Sequence, residues 1–581
     1  FYNHPILFMS TIDWVVLLLT LLTVILYGMY KSRGQKNIDS YFLGNNSLPW
    51  YLVLFSIMGT QASAITFLSA PGQAYTDGMR FVQYYFGLPL AMIFICMFFL
   101  PMYHKLKIYT AYEFLETRFG SNTRLLTSFL FLLQRGLSTG ISIYAPSLIL
   151  SSLLGWEISL TNLLMGGLLI IYTVSGGVKA ISYTQTQQLI IIFLGMFLAG
   201  YMVVHLLPEE ISFSDSLKIA GNSGKLNIIT TGITEDGFNW KDKYNIFSGI
   251  IGGFFLALSY FGTDQSQVGR YLTAPNISES RNGLLMNGFV KIPMQFLILL
   301  IGSLVFSFYS IYQAPVHFNS KLVTSTLQGE YGKELQRINT HYDTTLELRK
   351  STALALINAP ESSPQHPILQ TRLNQLNHQT DSIRKEAAVI IKKANPGSDA
   401  SDTNYIFLHF VIHHLPKGLV GLLIAIIFLA AWGSIAAALN SLASTCLIDW
   451  HHQIRKKDRN DQRNLTLSRI YTFAWGVFSI IVAQLAGKTG SLIEAVNILG
   501  SLFYGTILGI FCVALFVKSI NGKSVFYAAL LTEAIVISVY IGDAISFLWL
   551  NLIGCAGVMF IAALLQFTLF RTEKNHPVSV R

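Results

Sequence analysis

Apolar residues fall in long blocks separated by short polar stretches from one end of the chain to the other. A helix needs about 20 apolar residues to cross the hydrocarbon core of a bilayer. Because no water is available there, only closed backbone hydrogen-bonding patterns survive. Each block therefore reads as a membrane helix. Thirteen are predicted, over residues 12–30, 50–75, 81–103, 124–152, 159–178, 184–207, 246–268, 284–312, 417–449, 467–486, 491–517, 524–543 and 545–570. No small-residue cleavage site follows the first block, Val15 to Tyr30, so it reads as an anchor helix.

Two stretches break the pattern. Residues 208–243 are polar and rich in Gly and Asn, as in Gly221-Asn222-Ser223-Gly224. The second, 313–405, is a larger insertion. Within it Leu369, Leu373, Leu376, Thr380, Ile383, Ala387, Ile390 and Ala394 recur at spacings of four and three. Tyr331, Leu335, Ile338, Tyr342 and Leu346 do nearly the same, and Ala359-Pro360-Glu361-Ser362-Ser363-Pro364 reads as the turn between them. This predicts two antiparallel helices packed along a heptad seam, standing on the membrane. Such a hairpin is either a solvated spacer or a docking surface for an extracytoplasmic protein partner.

Composition agrees with the pattern, since 52% of the 581 residues are hydrophobic and 12% charged. A soluble chain of this length would divide into domains with charged surfaces. The net charge of +10 could suggest nucleic acid, but the basic residues lie in short loops and form no face interleaved with aromatics. Lys31, Arg33 and Lys36 follow the first span. Alternate loops then hold Lys105, Lys107, Arg118 and Arg124; Arg270 and Arg281; Arg455, Lys456, Lys457 and Arg459; and the tail has Arg571, Lys574 and Arg581. By the positive-inside rule the N-terminus lies outside and the C-terminus in the cytoplasm, and the location expected is the inner membrane of a bacterial cell. The polar stretches then face outward. Cys96, Cys446, Cys512 and Cys555 sit inside apolar blocks, far apart in sequence, with no metal spacing and no disulfide framework. No nucleophile–base pair or phosphate loop appears, so no enzyme is expected.

Polar residues inside the spans are the candidate chemistry. The second span contains Gly59-Thr60-Gln61-Ala62-Ser63-Ala64-Ile65-Thr66, which suits an unwound helix whose carbonyls bind a cation and a substrate, or close packing through small residues. The seventh ends Tyr260-Phe261-Gly262-Thr263-Asp264-Gln265-Ser266-Gln267-Val268-Gly269-Arg270. An acid at that depth costs roughly 2.5–3.5 kcal/mol and needs a partner; Arg270 is near enough in sequence to serve. Tyr260, four residues before Asp264, shares its helix face and could stack on a ligand. Arg135, inside the fourth span, is either salt-bridged or aimed at an anionic ligand. The ninth span has a small-residue stripe from Ala430 to Ser441, which close packing alone could explain.

With these stretches in hand, the chain resembles the sodium:solute symporter family. The marks are Thr263-Asp264-Gln265-x-x-Val268-x-Arg270, Leu415-Pro416-x-Gly418-Leu419-x-Gly421-Leu422, Leu439-Asn440-Ser441 with Asp449, and Ser175-Gly176-Gly177. Residues Ile143 to Leu150 look most like the iodide, monocarboxylate and vitamin branch, and Ser63 to Tyr75 equally like sialic acid transporters. The resemblance implies an all-α polytopic membrane protein with a five-plus-five inverted-repeat, LeuT-like core. The first repeat would occupy residues 50–207 and the second 246–312 and 406–517. Residues 1–49 and 518–581 would hold the extra helices and tail, 208–245 an outer loop and 313–405 the inserted hairpin.

It further implies one sodium ion held by carbonyls at Gly59, Ala62 and Ala430 and, on the same later helix, at Gly433 and Ser434. A hydroxyl ligand is missing at Gly433. A second sodium would need an acid where Gln185 stands and hydroxyls where Ala436 and Ala437 stand. One sodium per substrate is therefore expected, or a proton in its place. The matching substrate residues are Gln61, Ser63, Thr66, Gln83, Arg135, Tyr260 and Asp264. A hydroxyl-rich pocket with one Arg suits a sugar acid or other small carboxylate. A sugar or polyol transporter and a solute sensor on the same fold are the alternatives.

Overall fold

The computed structural model describes the chain apart from residues 1–8, 33–37, 176–177, 361, 399, 455–460, 489 and 571–581. Arg33, Lys36, Arg455, Lys456, Lys457, Arg459, Arg571, Lys574 and Arg581, counted above toward orientation, lie outside the described residues, as do Gly176 and Gly177 of the Ser175-Gly176-Gly177 motif and Glu361 of the turn.

Ten helices among the described residues are long and apolar enough to cross a membrane, and thirteen helical segments correspond to the predicted spans. They are α1 (Thr11–Ser32); α2 (Trp50–Gln61) continued by α3 (Ala64–Asp77); a helical run from Leu88 to Leu106; α4 (Ser121–Leu154); α5 (Ile158–Ser175); α6 (Val178–His205); α7 (Gly253–Thr263) continued by α8 (Gln265–Tyr271); α9 (Ile277–Ile311); then, after the insertion, the last five. The insertion holds a short helix, Ser320–Gln328, then α10 (Gly332–Asn358) and α11 (Gln365–Ala394), and leads into the short α12 (Thr403–His414). The last five are α13 (Leu419–Thr445), α14 (Asp461–Leu485), α15 (Leu492–Phe516), α16 (Gly522–Ile541) and α17 (Phe547–Thr568). A two-residue strand pair, Ile233–Thr234 with Gly237–Phe238, is the exception to helix among the described residues.

Two groups of five passes form the core, and each opens on a helix broken near its middle. In the first, Ala62 (ψ 94°) and Ser63 (ψ 172°) are extended between α2 and α3. In the second, Asp264 (ψ 119°) is extended between α7 and α8. An extended residue interrupts the i→i−4 ladder, so the carbonyls before it and the N–H groups after it lose their helical partners. Asp264 answers part of this need itself, its carboxylate accepting from the Ser266 N–H. The most buried helix is α13, in which nearly every side chain from Leu423 to Thr445 is out of contact with solvent. A membrane helix that is apolar or small on all faces belongs at the centre of a bundle, which is where α2, α4, α6 and α14 surround it.

The first helix also packs against α13, and one of its side chains caps that helix. Asp13 Oδ1 accepts from the N–H groups of Gly418 (2.6 Å) and Gly421 (3.2 Å), capping the start of α13. A Cβ on Gly421 would lie 2.1 Å from the Asp13 carbonyl, so only glycine allows this approach.

The hairpin forms as its spacing predicts. Leu335, Ile338, Tyr342 and Leu346 of α10 face Leu373, Leu376, Thr380, Ile383, Ala387 and Ile390 of α11, all buried along the seam. The loop before α7 carries a helix, Phe213–Asn222, started by a reciprocal cap between Ser212 and Asp215; its polar composition concealed it. Two basic residues counted toward orientation are interior instead. Arg124 is buried against Asp449 (2.6 Å), and Arg270 is 2% exposed. Cys512 and Cys555, far apart in sequence, bring their Sγ atoms to 3.9 Å as free thiols.

Candidate functional site

A cavity of about 120 Å³ is bordered by the first helix break and, across from it, by α7 one turn before the second break. It is lined by Gln61, Ser63, Thr66, Arg135, Tyr260 and Ser434, the sequence-predicted residues, and by Gln134, Asn497 and Tyr504, which sequence reasoning missed. Gln134 directly precedes Arg135, and its depth in the fourth span was signal enough to include it. Asn497 and Tyr504 come from α15, where a single amide and a tyrosine in an apolar block carry no distinguishing pattern.

Arg135 is salt-bridged. Its guanidinium pairs with the Asp264 carboxylate and donates to Ser266 Oγ at 2.7 Å. Tyr504 donates its hydroxyl to the same carboxylate at 2.7 Å, and the Tyr260 ring lies 5.4 Å beneath the guanidinium. Asp264 is thus paired with Arg135 rather than with Arg270, which correction follows from the break: the extended residue turns the Asp264 side chain inward, toward α4. Arg270 donates at long range to the carbonyls of Ser266 (3.4 Å) and Ala437 (3.5 Å), and has no carboxylate partner among the described residues.

Pairing uses one edge of Arg135. Its Nε is buried without a hydrogen-bond partner, as are Gln61 Oε1 and Gln134 Oε1. Three residues lining the same cavity therefore each keep a buried polar atom unsatisfied. Buried polar atoms are ordinarily hydrogen-bonded, so the arrangement asks for a polar ligand. Gln83 does not join them. Fully buried, its amide donates to Thr230 Oγ1 (3.0 Å) and the Tyr244 carbonyl (3.1 Å) and accepts from the Thr230 N–H, holding the loop after α6. Asp264 sits behind Arg135 rather than in the lining.

The cation-binding candidates lie on or next to α2 and on α13, two helices in contact with one another. Ser434 Oγ donates to the Ala430 carbonyl at 3.0 Å, so two of the expected ligands already share one hydrogen bond. The Gly59 and Ala62 carbonyls belong to the residues at and before the first break. At Gly433, where the hydroxyl is missing, a Cβ would lie 2.6 Å from Gln188 Oε1, so a side chain there would have to displace the end of that glutamine. The Gln185 amide occupies the neighbouring ground. It accepts from Ser56 Oγ (2.9 Å) and donates to Thr60 Oγ1 (3.2 Å) and the Gly433 carbonyl (3.0 Å), joining α2, α6 and α13 with neutral hydrogen bonds.

Hydrogen bonds also join the helices around the two breaks. On the hairpin side Gln73 donates to Glu494 (3.3 Å), which also accepts from Lys243 (2.8 Å), and the Ser69 and Ser491 hydroxyls meet at 3.3 Å. On the opposite side Tyr103 donates to the Gly262 carbonyl (2.6 Å) and Tyr112 to that of Thr263 (3.1 Å).

A model of the sodium:solute symporter family matches residues 41–330 and 384–532. The chain belongs to that family. Over 576 residues it is 26% identical to the sodium/sialic acid symporter SiaT of Proteus mirabilis (strain HI4320), covering 97% of this chain and 96% of the relative. It is 24% identical to the sodium/sialic acid symporter NanT of Aliivibrio fischeri (strain ATCC 700601 / ES114), covering 97% and 95%. A solved structure of a Na+-coupled sialic acid symporter, in a substrate-bound outward-open state, matches with a TM-score of 0.73 at 23% identity, covering 96% of this chain and 98% of that one. The symporter is accordingly a multi-pass membrane protein with the inverted-repeat, LeuT-like fold, coupling sodium to the movement of a small solute, and is not an enzyme. The family match skips residues 331–383, which make up most of the α10–α11 hairpin.

Proposed function

We propose that this symporter imports a small organic acid, of the sugar-acid or monocarboxylate kind, with one sodium ion per substrate. The observation that carries the reading is the free edge of Arg135, whose unpartnered Nε borders the central cavity beside Gln61 and Gln134. A guanidinium fork suits a carboxylate, while Ser63, Thr66 and the two glutamines suit hydroxyl and amide groups on the rest of the substrate. Tyr260 would close the inner wall, and Asp264 would hold Arg135 in place rather than touch the substrate. Two similar proteins are sodium/sialic acid symporters, which favours a sugar acid.

Sodium would sit between the first break and α13, on the carbonyls of Gly59, Ala62 and Ala430 and the Ser434 hydroxyl. Oxygen ligands of this kind suit a hard cation. One ion rather than two is favoured by Gln185, a neutral amide whose hydrogen bonds go to Ser56, Thr60 and the Gly433 carbonyl. We place the hairpin on the outer face of a bacterial inner membrane and the C-terminus in the cytoplasm.

A second reading has its own support. The Arg135–Asp264 pair is electrically neutral, and a neutral polar pocket suits a sugar or polyol. Uptake into proteoliposomes under an imposed sodium gradient, comparing N-acetylneuraminate, lactate, glucose and inositol, separates the two. Uptake of the acids alone, with a sodium Hill coefficient near one, is the expected result. Transport of the neutral solutes alone would replace the first reading with the second, and a charge-to-substrate ratio requiring two sodium ions would refute the stoichiometry.

A further inference from the structure

A second cavity, of about 340 Å³, opens where the hairpin meets the bundle. Its floor is Tyr75 and Thr76 at the end of α3 and Phe306 of α9. Its walls are Lys225, Arg349 of α10 and Arg384 of α11. Four cations border it, counting Lys385, against the two carboxylates of Asp381 and Asp402. Asp402 is already taken, since Arg384 donates to both of its oxygens at 2.9 and 2.7 Å. The acid of neighbouring Asp77 is held by Arg80 at 2.9 Å.

Arg349 stands out. It occupies a position of the α10 seam, between Leu346 and Ala353, where the heptad wants an apolar side chain, and it is 3% exposed. It has no carboxylate partner among the described residues. Its Nη2 donates to the Tyr309 carbonyl (3.0 Å), and its Nε is buried without a partner. Its guanidinium lies 5.5 Å from the Phe306 ring centroid, and the Lys225 ammonium lies 5.0 Å from the same ring. Two cations are thus drawn to one aromatic ring. The Lys225 ammonium also donates to the Thr76 carbonyl (2.6 Å) and feels the Asp381 carboxylate, whereas Arg349 has no carboxylate within pairing distance among the described residues. Burying an uncompensated charge is costly unless something of opposite sign completes it.

We propose that this cavity is a binding site for a small organic acid, its carboxylate held between Arg349 and Lys225 and its body lying against Tyr75 and Phe306. A bidentate guanidinium contact and a second point charge are what a carboxylate needs, and an aromatic floor suits the carbon skeleton. Arg349 falls within the 331–383 segment that the family match skips, so the site comes with the hairpin rather than with the transport core. It does not depend on which solute the central cavity carries. Occupancy would bind the hairpin to α3, the half-helix that leads directly to the first break.

The experiment is calorimetric titration of the full-length protein in lipid nanodiscs, in chloride-free buffer. N-Acetylneuraminate and acetate are the carboxylate probes and chloride the inorganic one. Arg349→Gln and Lys225→Gln remove charge while keeping a polar side chain, and because Lys225 lies outside the hairpin its variant keeps the test decisive should Arg349→Gln fail to fold. The expected result is carboxylate binding weakened ten-fold or more in each folded variant. Unchanged carboxylate binding in Lys225→Gln, or in both, overturns the proposal. Chloride binding tighter than acetate and lost in the same variants also overturns it, making the site one for an inorganic anion.

Discussion

Replacing Arg135 by glutamine removes the cation from a pair whose carboxylate, on Asp264, is fully buried and whose guanidinium side chain keeps 12% of its exposure. Breaking a buried pair by removing one partner costs about 3–5 kcal/mol, most of it from the charge left behind. Asp264 would retain three donors, the Ser266 N–H (2.8 Å), the Ser266 hydroxyl (2.6 Å) and the Tyr504 hydroxyl (2.7 Å). That support puts the expected loss at the lower end, about 3 kcal/mol. Adding Asp264→Asn removes the stranded charge, so the double variant should recover to within about 1 kcal/mol of wild type. Recognition should behave differently. Truncating one partner of a buried charge pair between protein and ligand costs about 2–5 kcal/mol, or roughly 30-fold and upward in affinity. The double variant should therefore be stable and still unable to take up an acid. Thermal unfolding in detergent reports the first quantity, and sodium-driven uptake of N-acetylneuraminate in proteoliposomes the second. Acid uptake restored in the double variant would refute a role for Arg135 in recognition, and an Arg135→Gln protein as stable as wild type would refute the argument from the buried pair.

Ser434→Ala removes a hydroxyl from the proposed ion site and should raise the half-saturating sodium concentration about ten-fold, the equivalent of about 1.4 kcal/mol, read from initial uptake rates. Gly433→Ser supplies a hydroxyl but puts its Cβ 2.6 Å from Gln188 Oε1; sodium affinity should fall in the single variant and rise above wild type in Gly433→Ser with Gln188→Ala. At the base of the hairpin, burial opposes ionisation of Asp402, but Arg384, His317 and the Phe318 N–H together hold its carboxyl below the ordinary value of 3.8. The stability this adds is fully present above that value and is lost as pH falls through the lower, folded-state value. Hydrogen exchange in α11 and α12 should therefore stay slow from pH 7 to about 4 and accelerate below it, and acceleration already at pH 5 to 6 would contradict the assignment.

The thirteen helical segments and the hairpin were legible because both are long-range periodic signals, a block of apolar residues or a repeated seam. Glutamines, hydroxyls and charges at membrane depth likewise pointed to the central cavity, since hydrocarbon leaves them few other places to go. What the sequence hid was pairing. Arg270 is six residues from Asp264 and looked like its partner, yet the extended conformation at the break turns the carboxylate toward Arg135, 129 positions away. Gln83 had the right chemistry and depth, but its amide is consumed by a loop whose path no periodicity reveals. Arg349 could have been found. An arginine at a seam position interrupts the heptad, and the repeat was followed only as far as Leu346.

The cap that Asp13 places on α13 gives the peripheral first helix a mechanical duty. A helix turns about 100° for each residue it slips and advances 1.5 Å. From Leu419 to Ser434 it therefore projects a small error at its start onto the side chains proposed to hold sodium. Asp13 fixes the angular zero of that spindle, and the glycine contact at residue 421 fixes its height. Cutting the chain back to α2 would leave every proposed ligand in place while freeing the axle that aligns them, and sodium dependence should blur before the fold itself gives way.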